Sequence, residues 1–208
     1  MHTETYTAVV AKLKRGGRER LDGFLSSEFF GITADERSEL TSVFTKDNDF
    51  QALSVLLPEG EFAELLRNSI GSLEHDSDGY ACALIWAAKV GATDDALEKL
   101  VACMESASIW AIGSALSFLG GVAIPAQMTG RYFQVLVDVL SKKVSTPAMV
   151  LKASAELLRL KGVEPRSAEY IELSNRLQAK DRREKEAALA ELVARATSPR
   201  FATSTRFE

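Results

Sequence analysis

Apolar positions recur along this chain at the spacing of a helix rather than of a strand. Leu97, Leu100, Val101 and Met104 fall three and four apart, as do Phe133, Leu136, Val137 and Leu140, so each set lines one face of a 3.6-residue turn. Strict alternation, the mark of a half-buried strand, is scarce. The polar residues between the stripes read as helix punctuation. Thr33-Ala34-Asp35-Glu36 is a capping box, in which the Thr hydroxyl accepts from the amide three residues on while the Glu reaches back. It predicts a helix to about Lys46. Asp47 and Asn48 offer the next cap, and Pro58-Glu59-Gly60 ends that short helix and opens another through about Ile70. Asp78 caps a helix to Val90, with Gly91 placed for a left-handed end. Thr93-Asp94-Asp95 begins the next, and Ser106 to Leu119 stops at Gly120-Gly121. Thr129 caps a helix to about Lys142, and Thr146-Pro147 opens one that Gly162 closes. Together with 3–15 and 18–30, broken at Gly16-Gly17, these signals predict about eleven helices and no strand.

Three of the helix ends look alike. Ala83 to Gly91, Ile112 to Gly120 and Ser154 to Gly162 are each rich in small residues, then apolar, then closed by glycine, and each is followed by a second helix. Over roughly residues 78–178 this resembles the HEAT-like α-solenoids, in which consecutive helix pairs stack on a shared core. The terminal glycines are 29 and 42 residues apart, so the array is irregular, and a closed bundle gives similar ends. The expected fold class is all-α, an antiparallel helical array of one or the other kind. A long charged C-terminal helix completes it. The regions are 1–72, 73–165 and 166–208, joined as one continuous domain.

With 208 residues and 46% hydrophobic content, the chain can bury a core without disulfides or metal. Cys82 and Cys103 lack a CxxC spacing, so they read as small buried hydrophobes in a reducing compartment. His2-Thr3-Glu4-Thr5 shows no basic segment leading into an apolar run, and cytoplasm is the expected location. Residues 106–130 carry no charge. Gly120-Gly121 and Pro125 interrupt that run, leaving fourteen residues, short of the roughly 20 that a bilayer requires, so no membrane span is expected.

The net charge of −4 conceals a gradient. Residues 1–60 hold 7 basic and 10 acidic groups, residues 61–140 hold 4 and 10, and residues 141–208 hold 14 and 9. The stretch 59–105 is the most acidic, with 10 acidic and 3 basic groups. Its loop residues Glu74, Asp76, Asp94 and Asp95, with Glu98, form the candidate surface for a basic protein partner.

Catalytic constellations are absent from the pattern. Glu74-His75-Asp76-Ser77-Asp78-Gly79 resembles the start of a calcium loop, but the position that needs a bidentate carboxylate is Ile85. Asp76 and Asp78 lie at one end of a helix and Asp94 and Asp95 at the other, about 18 Å away, so the two pairs serve as caps rather than as one metal or acid–base site. Gly16-Gly17 and Gly120-Gly121 lack the spacing of a phosphate cradle. Trp86, Trp110, Phe118 and Phe133 are assigned to the core. No cofactor and no metal are expected.

From Ala179 to Glu186 seven of eight residues are charged, and Leu189, Leu192 and Val193 then restore an apolar stripe. Lys180, Arg182, Arg183 and Lys185 are the candidate contacts to nucleic acid, and the stripe is a candidate homodimer seam. The leading expectation is a noncatalytic protein-interaction module, similar in general character to toxin-neutralising immunity proteins or adaptor inhibitors. A nucleic-acid-associated protein comes second, and an enzyme with an unrecognised site third.

Overall fold

The computed structural model describes residues 2–15, 23–141 and 146–195. The expected break at Gly16-Gly17, residues 18–22 of the predicted second helix, Lys142 and everything after Arg195 lie outside them. The described residues form eleven α-helices and one 3₁₀ turn, with no strand among them. In chain order these are α1 (Glu4–Arg15), the turn (Ser26–Phe29), α2 (Ala34–Lys46), α3 (Phe50–Leu56), α4 (Glu59–Ser72) and α5 (Asp78–Val90). Then come α6 (Ala96–Cys103), α7 (Ile109–Leu119), α8 (Ala126–Ser141), α9 (Pro147–Leu160), α10 (Ala168–Gln178) and α11 (Arg182–Ala194). The fold class is all-α, as the periodicity predicts. The chain divides into two compact units, Met1–Glu74 with Cys82–Ala96, and His75–Ala81 with Leu97–Glu208. The first turn of α5 thus belongs to the second unit and the rest to the first.

In the N-terminal unit the capping box at Thr33 forms and does more than end a helix. The Thr33 hydroxyl accepts from the Glu36 amide, and the Glu36 carboxylate accepts from the Thr33 amide at 2.9 Å. The same carboxylate accepts from the Thr3 amide at 2.6 Å and the Thr3 hydroxyl at 3.0 Å, so a helix cap also anchors the start of α1. Glu36 is buried. Burial pushes its carboxyl upward, but the Thr33 and Thr3 donors outweigh that and bring it down to about 2. Behind this anchor Phe24, Phe29 and Phe44 pack with centroids 5.3 to 6.3 Å apart. Lys12 covers the Phe24 ring and donates to the Gly23 carbonyl and to Glu28. Phe50, Leu53, Phe62 and Leu66 complete the buried floor. Trp86 lies edge-on to Phe62 at 5.9 Å.

In the C-terminal unit the helices alternate in direction. Tyr132, early in α8, donates to Glu156, late in α9, and Lys161 covers the Phe133 ring. Arg176 and Arg195 reach Glu191 and Glu169 across α10 and α11. α7 and α9 by contrast run parallel: a Cβ on Gly113 would touch Met149, Lys152 donates to Ser117, and Gly120 faces Glu156. Small residues allow that approach. Glu156 is buried, paired to Arg159 at 2.5 Å. Burial, then the Glu156 charge, pushes the Tyr132 hydroxyl well above its ordinary range.

Helix ends differ from expectation at several points. Asn48 takes a left-handed φ of 54°, so Asp49 rather than Asp47 or Asn48 caps α3, accepting from the Ala52 amide. Ser77, not Asp78, accepts from the Tyr80 amide at the head of α5. Ser108 caps α7, which starts at Ile109 instead of Ser106. Thr129 lies inside α8, its hydroxyl bonded back to the Pro125 carbonyl, a bond that a mid-helix Thr makes as readily as a cap does. Residues 23–25 of the predicted helix 18–30 are irregular, and only Ser26–Phe29 coils. Gly91 and Gly162 do take positive φ, 64° and 70°, and Thr146 caps α9 with Pro147 at its first position.

The largest departure is at the C-terminal end. The expected single long helix is two, α10 and α11, broken at Ala179-Lys180-Asp181, because Ala179 is extended and Asp181 caps the second helix by accepting from the Arg183 amide. Leu189 and Leu192 are buried within the chain, so the stripe proposed for a homodimer seam is already covered, and only Val193 of the three is exposed.

Two outcomes follow from these contacts. Leu192→Ala should lower the unfolding free energy by about 2–5 kcal/mol, and Val193→Ala by less than about 0.5 kcal/mol, in denaturant titrations at any protein concentration. Because the fold holds the Glu36 carboxyl below its ordinary 4.5, the docking of α1 is fully supported above that pH and weakens as the pH falls toward 2. Amide exchange at Thr3 and Tyr6 should accelerate over that window, and Glu36→Gln should flatten the dependence.

Candidate functional site

The feature of the C-terminal unit that calls for an explanation is the head of α7. The helix buries Ala111, Ile112, Ala115, Leu116 and Leu119, a stripe that repeats three and four apart. Trp110 stands one residue out of phase with it. On a helix Trp110 shares its face with Ser114 and Ser117, and it is 56% exposed, beside Ile109 at 41%. An exposed Trp next to an exposed Ile leaves apolar side-chain surface in water, and Trp is enriched among the residues that anchor protein interfaces.

Carboxylates surround this pair. The Ser108 hydroxyl that caps α7 donates to Asp78, which is free to accept because Ser77 holds the cap of α5. Asp76 and Asp78 both act on Cys103 at the end of α6: burial first, then those two charges, push its thiol up. One turn links Cys103 to the head of α7, with the Ala107 amide on the Cys103 carbonyl at 2.9 Å. Glu105, in that turn, is bound by Arg131 at 2.8 Å, and this bond holds its carboxyl below the ordinary range. Asp76, Asp78, Glu105 and Trp110 are all exposed. The result is an apolar and aromatic knob with an acidic border. A knob of this kind can enter a partner's pocket while the border steers and orients a cation.

Of the sequence-predicted acidic residues, Glu74, Asp94 and Asp95 belong to the N-terminal unit and Asp76 and Glu98 to the C-terminal unit. Glu74, Asp76, Asp94, Asp95 and Glu98 are all exposed, yet Asp76 borders the head of α5 while Asp94 and Asp95 follow its tail, thirteen residues away. That is about 20 Å of helix. Glu98 acts on Arg131, which binds Glu105, and the charge of Asp76 acts on Cys103 at the end of α6. The basic candidates gather at the head of α11, but two are engaged internally. Arg182 pairs with Glu186 at 2.6 Å, and Lys185 donates to the Leu140 carbonyl; Lys180 and Arg183 are exposed.

The assignment of Trp110 to the core is therefore corrected, and the phase of its helix was the signal that could have found it. Trp86 is half-buried between Phe62 and Lys89, and Cys103 is buried and Cys82 partly so. Gly120-Gly121 is no anion cradle: the position of a Gly120 Cβ lies 3.2 Å from a Glu156 carboxylate oxygen, and a negative charge there repels phosphate. Among the described residues no group of three His, Cys, Asp or Glu side chains is arranged to hold a metal ion, and no helix is long and apolar enough to cross a membrane.

No protein-family model, curated protein or solved structure matches the chain.

The two tryptophans should separate spectroscopically. Trp110→Phe should remove the red-shifted, acrylamide-quenched part of the emission and leave the Trp86 part, while the unfolding free energy moves by less than about 0.5 kcal/mol. A loss of shielded emission instead would place Trp110 in the core.

Proposed function

We propose that this protein is a noncatalytic protein-interaction module that captures a basic partner, in the manner of an inhibitor, an immunity protein or an adaptor. The observation that carries the reading is the Ile109–Trp110 knob at the head of α7, with Asp78 bound to the Ser108 cap, Asp76 two residues before Asp78, and Glu105 in the turn that leads into the helix. Tryptophan is among the residues that contribute most to protein interfaces, and truncating such an anchor typically costs about 2 kcal/mol or more of binding. The carboxylate border favours a cationic surface, raises the rate of encounter and makes it salt-sensitive. The stacked short helices of the C-terminal unit supply a rigid support for the knob, as helical arrays commonly do for binding surfaces. Glu74, Asp94, Asp95 and Glu98 contribute to the long-range acidic field rather than to the contact.

The test uses the full chain as bait in an extract of its own source, alongside Trp110→Ala, Asp76→Lys and Asp94→Lys, each checked by circular dichroism. A retained basic protein should be lost with Trp110→Ala, weakened about tenfold with Asp76→Lys, and least affected by Asp94→Lys. Raising salt should lower capture by the native chain. Equal capture by all four would remove the knob from the interface. Retention of nucleic acid that depends on Lys180 and Arg183 would favour the basic head of α11 instead.

A further inference from the structure

The N-terminal unit carries a second surface that owes nothing to α7. α1 and α2 run parallel in a constant register: Thr3 meets Glu36, and three residues further on Tyr6 bonds to Glu39. Between them lies an open trough of about 730 Å³, whose lining continues the same register through Val10 and Val43 to Lys14 and Asp47. Its floor is apolar, with Tyr6 and Leu40 buried and Val10 and Leu13 half-buried. Val43 is 39% exposed at the rim. In that register the two helices overlap from Glu4 opposite Arg37 to Leu13 opposite Lys46, about ten residues, so the trough extends for about 15 Å, or nearly three helical turns.

The end at Tyr6 is electronegative. Glu39 accepts from the Tyr6 hydroxyl, and that bond, with burial and the charges of Glu39 and Glu36, pushes the hydroxyl up to about 12. His2 stacks on the Tyr6 ring at 4.2 Å and stands 3.6 Å from Glu36. Lys14 and Asp47 line the trough toward its other end. The parallel walls, the apolar floor and the open length differ from a small-molecule pocket, which encloses most of its ligand. They match the groove that receives the apolar face of a helix, with anchors at i, i+3 or i+4, and i+7.

We propose that the trough between α1 and α2 receives one amphipathic helix of a partner protein, its apolar face on Tyr6, Val10, Leu13 and Val43 and a lysine or arginine directed at Glu39. The charge at the Tyr6 end selects a basic helix over an acidic one. This surface is independent of the knob at α7, and either can fail alone.

The probe is a labelled lysine–leucine amphipathic peptide of about fourteen residues, compared with a glutamate–leucine peptide bearing the same leucine face. Fluorescence anisotropy follows each as the full-length protein is added. The lysine peptide should bind saturably, and the glutamate peptide at least about tenfold more weakly. Val43→Gln should weaken the lysine peptide about tenfold, and Trp110→Ala should leave it unchanged. Glu39→Gln, which changes one charge and leaves the apolar floor intact, should weaken it about two- to fivefold and reduce its salt dependence; it keeps the test decisive if Val43→Gln perturbs folding. Absence of binding, equal binding of the two peptides, equal affinity of the native chain and Glu39→Gln, or loss of binding with Trp110→Ala would each overturn the proposal.

Discussion

No described helix of this chain exceeds the sixteen residues of α8, and helices this short are marginal in water on their own. Every one depends on covering its apolar stripe with a neighbour. The helix ends need polar partners as well, and Thr33, Asp49, Ser108, Thr146, Ser167 and Asp181 each accept from a backbone amide that the helix leaves open. The need for cover also explains the small residues of α7, since Gly113 and Gly120 let a second helix come close enough to cover the stripe.

Two buried carboxylates show how the same requirement is met where apolar contact is not enough. Glu36 uses the donors of a helix cap and of Thr3, distant in the chain, to tie α1 to α2. Glu156 lies against Gly120 and binds Arg159 and Tyr132, so it joins α7, α8 and α9. In both places several hydrogen-bond partners meet the carboxylate, because an unpaired buried carboxylate is costly. Each makes a packing geometry specific that apolar side chains alone would leave adjustable.

The surfaces proposed for binding are what remains once these stripes are covered. Trp110 is left out because Ala111, Ile112, Ala115, Leu116 and Leu119 already fill the buried side of α7. The trough at Val10 and Val43 is left open because α1 and α2 are held together at Glu36 and Glu39 and have no third helix shown between them. Among the acidic residues, Asp78 takes part in this through its bond to the Ser108 hydroxyl that caps α7.

The sequence by itself determined the helical class, most helix positions, the glycine ends at Gly91 and Gly162 and the caps at Thr33 and Thr146, because periodicity and end chemistry act over a few residues. It also showed where the acidic residues are concentrated. Only the tertiary structure decided which of two neighbouring hydroxyls or carboxylates takes a cap, as at Ser77 and Ser108, since both choices satisfy the same local rule. It split the last charged segment into α10 and α11, because Leu189 and Leu192 gain more by folding back onto the chain than by extending into water. It also brought Asp78 to the Ser108 hydroxyl that caps α7. Those outcomes depend on which side of each helix its neighbours cover, and no local spacing contains that information.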